Sequence, residues 1–271
     1  MDMNDVAKRG LVLLGCGKMG SAMLAGWLRN GLPAKSVWVV EPHPSDWLKA
    51  QGVNIGGDLP DDPAIALVAV KPQVMAEVLP NVKSMGGGTT LVISVAAGTP
   101  IRTFEDMLGS STPIIRAMPN TPAAIGHGIT ALIGNGVIKS EDMELAEALL
   151  WSIGQTVRLD NEEQMDAVTA VSGSGPAYVF HLIETLAAAG ESEGLPAELA
   201  MELAKATVGG AGDLAENSDD DPAQLRVNVT SPNGTTQSAL EVLMAEDGGL
   251  ADLMKRTVAA AAARSRELAN E

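Results

Sequence analysis

Residues 226–243 read RVNVTSPNGTTQSALEVL, and the middle of that run crowds Thr230, Ser231, Asn233, Gly234, Thr235 and Thr236 into a turn ahead of a helical pattern. The first N–H groups of a helix have no partner inside it, and they favour an anion. Ser231 and Thr236 add hydroxyl donors at that end. A carboxylate suits such a turn, and no lysine is needed to hold it. An ordinary N-cap accounts for one hydroxyl but not for this density.

A second cluster stands near the start. LVLLGCGKMGSAML sets Gly15, Gly17 and Gly20 in the G-x-G-x-x-G spacing, after a strand-like apolar run and at the opening of a helix. The first glycine permits a tight turn, the second lets backbone approach a pyrophosphate, and the third lets helix and strand pack closely. The segment Gly15, Cys16, Gly17, Lys18, Met19 and Gly20 is therefore the expected dinucleotide-binding loop, with Cys16 as a small spacer. Glu41 ends the second strand about 20 residues further on, where a carboxylate can accept hydrogen bonds from ribose hydroxyls. The plainer alternative is a surface acid in an acidic chain.

VAVKPQ and SVAAGTP follow later strands, at the carboxyl rim where open parallel sheets bind ligands. Lys71 reads as a cofactor contact, as a catalytic acid, or only as a charge ahead of Pro72. In RAMPNTPAAIGHG, Pro119 and Pro122 stiffen a loop whose Asn120 and Thr121 can hydrogen-bond. AVSGSGPAYVF breaks a helical region at 172–176, either as a hinge or as a ligand contact. His43, His127 and His181 share no spacing with acidic residues, so no metal site is expected.

These groups need a scaffold. Strand candidates are Gly10–Leu14, Val37–Val40, Ile65–Val70, Thr90–Val95 and Ile114–Ala117, with helix candidates Met19–Asn30, Val74–Val82 and Ile101–Leu108 between them. That alternation implies a parallel sheet with crossover helices. Ser140, followed by Glu141 and Asp142, reads as the N-cap of a further helix that ends near Trp151. From Asn161 on there is no convincing strand. Helices are expected over Pro176–Gly190, Pro196–Ala215, Thr235–Glu246 and Gly249–Leu268, with the acidic SDDDP at 218–222 as a loop. The fold class is thus α/β: a Rossmann-like doubly wound parallel sheet over residues 1–159, then an all-α substrate-binding and dimerisation domain over 160–271. Alanine- and leucine-rich faces around Ala187, Leu203 and Ala259 exceed what one small helical domain can hide, so a homodimer is expected.

Composition narrows the class. The 271 residues carry 18 Lys and Arg against 34 Asp and Glu, a formal net charge of -16, with no basic cluster, so nucleic acid is not an expected partner. The same field repels anionic ligands at long range, and any anionic substrate must be caught by local donors. No apolar run reaches the ~18 residues of a membrane span, and MDMNDVAKRG has no apolar signal core, so no membrane partner is expected. The single cysteine excludes an intramolecular disulfide and agrees with a cytoplasmic location.

Taken together, GCGKMG, AVKPQ, SVAAG, RAMPNTP, AVSGSGPAYVF and VTSPNGTT make the chain resemble the pyrroline-5-carboxylate reductases over almost its whole length. The resemblance implies transfer of hydride from NADPH or NADH to the ring carbon of the C=N bond of 1-pyrroline-5-carboxylate, giving L-proline. It also implies a dimer that assembles further into a decamer. It places Ser231, Gly234, Thr235 and Thr236 at the substrate, with Thr236 as the catalytic hydrogen-bond partner of the ring nitrogen, and Glu162 near bound proline. Cofactor contacts are implied for Ala69, Val70, Lys71, Pro72, Val95, Ala96, Ala97, Asn120 and Asn228. Two positions depart from the family pattern: Asn233 replaces a glycine, although Asn tolerates left-handed φ, and Val227 replaces an aspartate. At the position of Glu41 the family often carries a small hydroxyl residue that can receive a 2′-phosphate. Here Pro42, His43, Pro44 and Ser45 follow without an arginine, so a preference for NADH is expected. A β-hydroxyacid dehydrogenase on the same two-domain plan is the alternative enzyme, but it needs a lysine that the stretch between Arg158 and Lys205 lacks. A non-catalytic dinucleotide-binding regulator is the alternative outside catalysis.

Overall fold

Leu11–Leu14 are buried on both sides of a sheet, which is why the strands read as continuous apolar runs rather than alternating ones. Leu11 and Leu13 enter one core with Val37, Val39, Ile65 and Leu67, while Val12 and Leu14 enter the opposite core with Ala66 and Val68. The period of two along each strand thus feeds two helical layers. The computed structural model describes residues 3–269.

The sheet-forming part runs α1 (Met3–Arg9), β1 (Leu11–Leu14), α2 (Lys18–Arg29), β2 (Val37–Val40), α3 (Asp46–Ala50), β3 (Asn54–Ile55), β4 (Ile65–Val68), α4 (Met75–Val78), β5 (Leu91–Ser94), α5 (Ile101–Leu108), β6 (Ile114–Met118), β7 (Gly128–Gly134), α6 (Ser140–Leu150) and β8 (Gly154–Arg158). The sheet order is β3-β2-β1-β4-β5-β6-β7-β8, parallel except for the antiparallel β6–β7 pair. The strand order reverses between the parallel neighbours β1 and β4, the crevice where such sheets bind dinucleotides. Helices alone follow: α7 (Gln164–Val168), α8 (Gly175–Ser192), α9 (Ala197–Asn217), α10 (Pro222–Asn228), α11 (Thr235–Leu243) and α12 (Leu250–Leu268). The N-terminal mixed sheet and C-terminal all-α region agree with the expected fold class.

Several elements differ from the sequence reading. β3, β7 and β8 add three strands to the five expected. β3 has two residues, β7 is bounded by glycines at both ends, and β8 is half-exposed, so none gives a continuous apolar run. The helix expected over Val74–Val82 stops at Val78 and continues as 3-10 turns to Met85, because Pro80 cannot donate an α-helical hydrogen bond. Ser140 is the first helical residue of α6 rather than its cap; the Asp142 carboxylate reaches back to accept from the Lys139 N–H at 3.1 Å. In SDDDP, Asp221 caps α10 by accepting from the Gln224 N–H at 2.8 Å. Ala187 lies buried against Ala200 and Ala204 of α9 instead of on a free face.

The chain forms two compact units, one comprising residues up to Gly173 and those from Ala261 on, the other Ser174–Ala260. The strands end at Arg158, but the segment that follows still packs with them. α7 passes into a π-helical turn over Thr169–Gly173, and α8 then starts with Pro176 in its first turn. A Cβ on Gly173 would stand 2.5 Å from Met118 Cε, so the break in AVSGSGP is a place of close approach.

Candidate active site

Most of the first unit's expected cofactor residues lie at the carboxyl ends of β1, β2, β4 and β5, and Asn120 follows β6. Gly15 has φ +86, and a Cβ there would meet Val70 Cγ1 at 2.7 Å and the Ala69 carbonyl at 2.8 Å. A Cβ on Gly20 would meet the Gly15 carbonyl at 2.5 Å, whereas one on Gly17 would meet nothing within 4 Å. Two glycines therefore fit protein against protein, and the middle one leaves its backbone open. Gly17 caps α2 without a side-chain hydrogen bond, which leaves the helix's first N–H groups to an incoming anion. This cradle fits a diphosphate. Lys18 is exposed and Met19 half-buried on the first turn, and Lys71 and Pro72 are exposed just beyond β4.

Glu41 does not swing away from this loop. Its Oε2 accepts from the Cys16 N–H at 2.9 Å and its Oε1 from the His43 N–H at 3.1 Å. The carboxylate is thus held beside the glycine turn, and each oxygen retains a lone pair for a further donor. Burial, and then the Glu41 charge, push the Cys16 thiol from 9.0 up to about 11, so it stays a neutral thiol near neutral pH.

After β5, Val95 donates its N–H to the Val68 carbonyl at 3.0 Å, which sets the rim segment of Val95, Ala96 and Ala97 beside Ala69 and Val70. Asn120 is already engaged on both sides of its amide: Oδ1 accepts from the Ile129 N–H at 3.0 Å, and Nδ2 donates to Ser172 Oγ at 3.3 Å. Glu162 Oε1 accepts from Arg116 Nη1 at 2.8 Å and from the Ile101 N–H at 2.9 Å. Arg116 was not singled out by the sequence reading. Its signal is there, however: one arginine in the buried strand IIRAM demands a carboxylate partner.

The second unit carries Asn228, Ser231, Gly234, Thr235 and Thr236. Asn233 has φ 59, the left-handed value that its place in the turn requires, and it is the single non-glycine residue with positive φ among the described residues. The turn closes with the Gly234 N–H on the Ser231 carbonyl at 3.0 Å, and the Asn233 N–H donates to Gln237 Oε1 at 2.7 Å. Gly234 caps α11 without a side-chain hydrogen bond. The hydroxyls of Ser231, Thr235 and Thr236 have no partner among the described residues. Donors accumulate here without being consumed. Asn228 instead accepts from Gln224 Nε2 at 2.7 Å and donates to Asp220 at 3.0 Å. Val227, the other departure, is exposed. Among the described residues no cluster of His, Cys, Asp or Glu could hold a metal ion, and no helix is long and apolar enough to cross a membrane.

A glycine cradle at the switch point of a doubly wound sheet, joined to an all-α unit with a donor-rich turn, defines a nicotinamide-dinucleotide-dependent oxidoreductase. Residues 162–268 match the family described as pyrroline-5-carboxylate reductase dimerisation, and residues 10–98 match the coenzyme F420-dependent NADP oxidoreductase family. The pyrroline-5-carboxylate reductase of Pseudomonas aeruginosa is 37% identical over 267 residues, covering 96% of this chain and 97% of the relative. That of Synechocystis is 39% identical over 265 residues, covering 95% and 97%. The structure of the Coxiella burnetii reductase superposes with a TM-score of 0.89 at 34% identity, covering 96% of this chain and 98% of the other. The Plasmodium falciparum pyrroline carboxylate reductase, whose structure has NADP bound, gives 0.84 at 30% identity, covering 97% and 99%. This chain belongs to the pyrroline-5-carboxylate reductase family.

Proposed function

We propose that this chain catalyses the NAD(P)H-dependent reduction of 1-pyrroline-5-carboxylate to L-proline, with the first unit holding the dinucleotide and the turn before α11 holding the substrate. The observation that carries the site assignment is the turn itself, where three hydroxyls and the first N–H groups of α11 lack protein partners. A carboxylate needs such donors in a chain whose net charge of -16 repels it from afar. Ser231, Gly234 and Thr235 supply them in this reading. In this reading Thr236 is the hydrogen-bond partner of the ring nitrogen, its hydroxyl accepting from the protonated N–H, and Glu162, whose Oε2 the Arg116 pair leaves free, is near the product.

The dinucleotide supplies the hydride that reaches the ring carbon. The chain's own task is positioning. A protonated cyclic imine is already electrophilic, so neither covalent catalysis nor a strong acid is required. Aligning two reactants can be worth ~7–11 kcal/mol. Gly15 to Gly20, Glu41, Ala69 to Pro72, Val95 to Ala97, Asn120 and Asn228 are proposed to hold the dinucleotide. Glu41 is proposed to favour NADH, because a carboxylate accepts from ribose hydroxyls and repels a 2′-phosphate.

A homodimer follows from the helices. The groove between α8 and α12, about 650 Å³ and lined by Tyr178, Leu182, Leu250, Leu253 and Met254, is apolar and open, and a second copy is its proposed occupant. The match of residues 162–268 to a dimerisation family supports that choice. Assembly to a decamer, a cytoplasmic location, and the absence of nucleic-acid or membrane partners belong to the same proposal. Functionally, we place the division at Leu159, after the last strand, with residues 160–271 as the substrate-binding and dimerisation part. The test is the loss of reduced-nicotinamide absorbance with 1-pyrroline-5-carboxylate and each cofactor. Turnover that yields proline is expected; dinucleotide binding without turnover would support the regulator instead.

A further inference from the structure

Arg116 is an arginine inside a strand whose neighbours Ile114, Ile115 and Ala117 belong to the core. Its side chain is 6% exposed, and that of its partner Glu162 is 30% exposed. Burying a charge in this way is costly unless its partner is fixed and fully used. Here the partner has a second task. Glu162 Oε1 also accepts the N–H of Ile101, the first residue of α5, whose own N-cap is Pro100 with no side-chain hydrogen bond. Glu162 therefore caps α5 from a distant segment, and its negative charge stands at the positive end of that helix.

α5 begins directly after SVAAGTP, the rim segment beyond β5. The rim is braced from a second side. A Cβ on Gly98 would stand 3.2 Å from Leu268 Cβ, so the end of α12 lies against the rim. That end is tied back to the segment bearing Glu162, because buried Ser265 donates to Asp166 at 2.6 Å. Residues 98–101, 162–166 and 265–268 thus form a closed frame within one compact unit.

We infer that Arg116 and Glu162 are positioning residues for the nicotinamide half of the dinucleotide, acting by fixing the rim between Val95 and Ile101. This rests on the proposed dinucleotide reading of the first unit. The sheet order explains why only one half is concerned. Glu41 at the end of β2 marks the adenosine side and the glycine turn after β1 marks the diphosphate. The nicotinamide then extends the other way, over β4 and β5. Arg116 and Glu162 touch that far side alone.

The experiment compares two ligands on the intact protein without imine substrate: NADH, and ADP-ribose, which lacks the nicotinamide. In Glu162→Ala the dissociation constant for NADH rises about tenfold, a loss on the scale of one charge-assisted hydrogen bond, while that for ADP-ribose changes less than about twofold. Arg116→Lys, which keeps the charge but not the planar fork, raises the NADH value about threefold and again spares ADP-ribose. Should Glu162→Ala fail to fold, Arg116→Lys decides by the same ratio. Equal weakening of both ligands, or no change in a folded variant, overturns the inference. A wild-type protein that binds neither ligand overturns the dinucleotide reading itself, a distinguishable result.

Discussion

Leu13 and Leu203 are the same side chain on regular elements of the two units, and they meet opposite fates. Leu13 is fully buried in a core built by β1, β2, β4 and the helices over them, whereas Leu203 on α9 stays 48% exposed. The contrast is general. The first unit buries Trp27, Phe104 and most of its leucines, and it ties Trp27 Nε1 to the Leu149 carbonyl at 3.0 Å. The described hydrophobic residues buried in the second unit are three alanines, Ala187, Ala200 and Ala204, while Phe180, Leu182, Leu186, Leu253 and others remain exposed. A sheet covered on two faces can hide its apolar side chains within one chain. A few long helices cannot, so their stability must come from association.

That difference can be broken at its strongest point first. Leu13→Ala should cost about 2–5 kcal/mol by leaving a cavity in a closed core, seen as a drop in Tm that does not depend on protein concentration. Leu253→Asp should act otherwise. It places a charge in the open groove, and self-association should weaken by at least ~2 kcal/mol, the scale of an interface hot spot. Sedimentation velocity should show a monomer with little activity at micromolar concentration. Trp47→Asp, at an exposed apolar site on the first unit, should leave the sedimentation coefficient unchanged. A wild-type monomer that is fully active would end the comparison.

The next effects separate the units by ligand. Thr236→Ala should lower kcat/KM for the imine by a few-fold to a hundredfold, the range of one hydrogen bond at about 0.5–3 kcal/mol, with Tm and the dinucleotide affinity unchanged. Glu41→Ser should shift the NADH to NADPH preference about tenfold toward NADPH, while KM for the imine holds. A wild type with higher kcat/KM for NADPH would remove the ribose role of Glu41 and leave the reductase reading standing.

The smallest effect concerns Cys16. Its thiol is raised to about 11 in the folded chain from an ordinary 9.0. A raised acid stays protonated longer in the folded than in the unfolded state. Its contribution to stability is therefore complete below about pH 9 and is lost as pH rises through about 11. Alkylation by iodoacetamide should be slow at neutral pH and accelerate only in that window. Glu41→Ser removes the weaker of the two causes and should move the onset down part of the way; fast alkylation of the wild type at neutral pH would contradict the burial.

Much of the first unit is legible in its residues, because a parallel strand buried on both faces must be apolar throughout. Val37–Val40 and Ile101–Leu108 coincide with the observed elements to the residue. The glycine spacing of 15, 17 and 20 and the left-handed Asn233 are equally local, since φ and the room for a Cβ are properties of one residue and its turn. What the sequence could not contain is which distant groups meet. β8 is half-polar and joins the sheet only because β7 offers it an edge. Glu162 lies far along the chain from the helix it caps, Glu41 takes its partner from the glycine loop, and Ser265 closes on Asp166. Each of these pairs depends on the sheet's strand order, a property of the whole fold. The sequence by itself determined a sheet-forming N-terminal part followed by helices alone, and the density of hydroxyls at the turn before α11; only the tertiary structure decided that a buried arginine and a capping glutamate meet at the start of α5, because a hydrogen bond between remote residues exists only once the sheet has placed them about 3 Å apart.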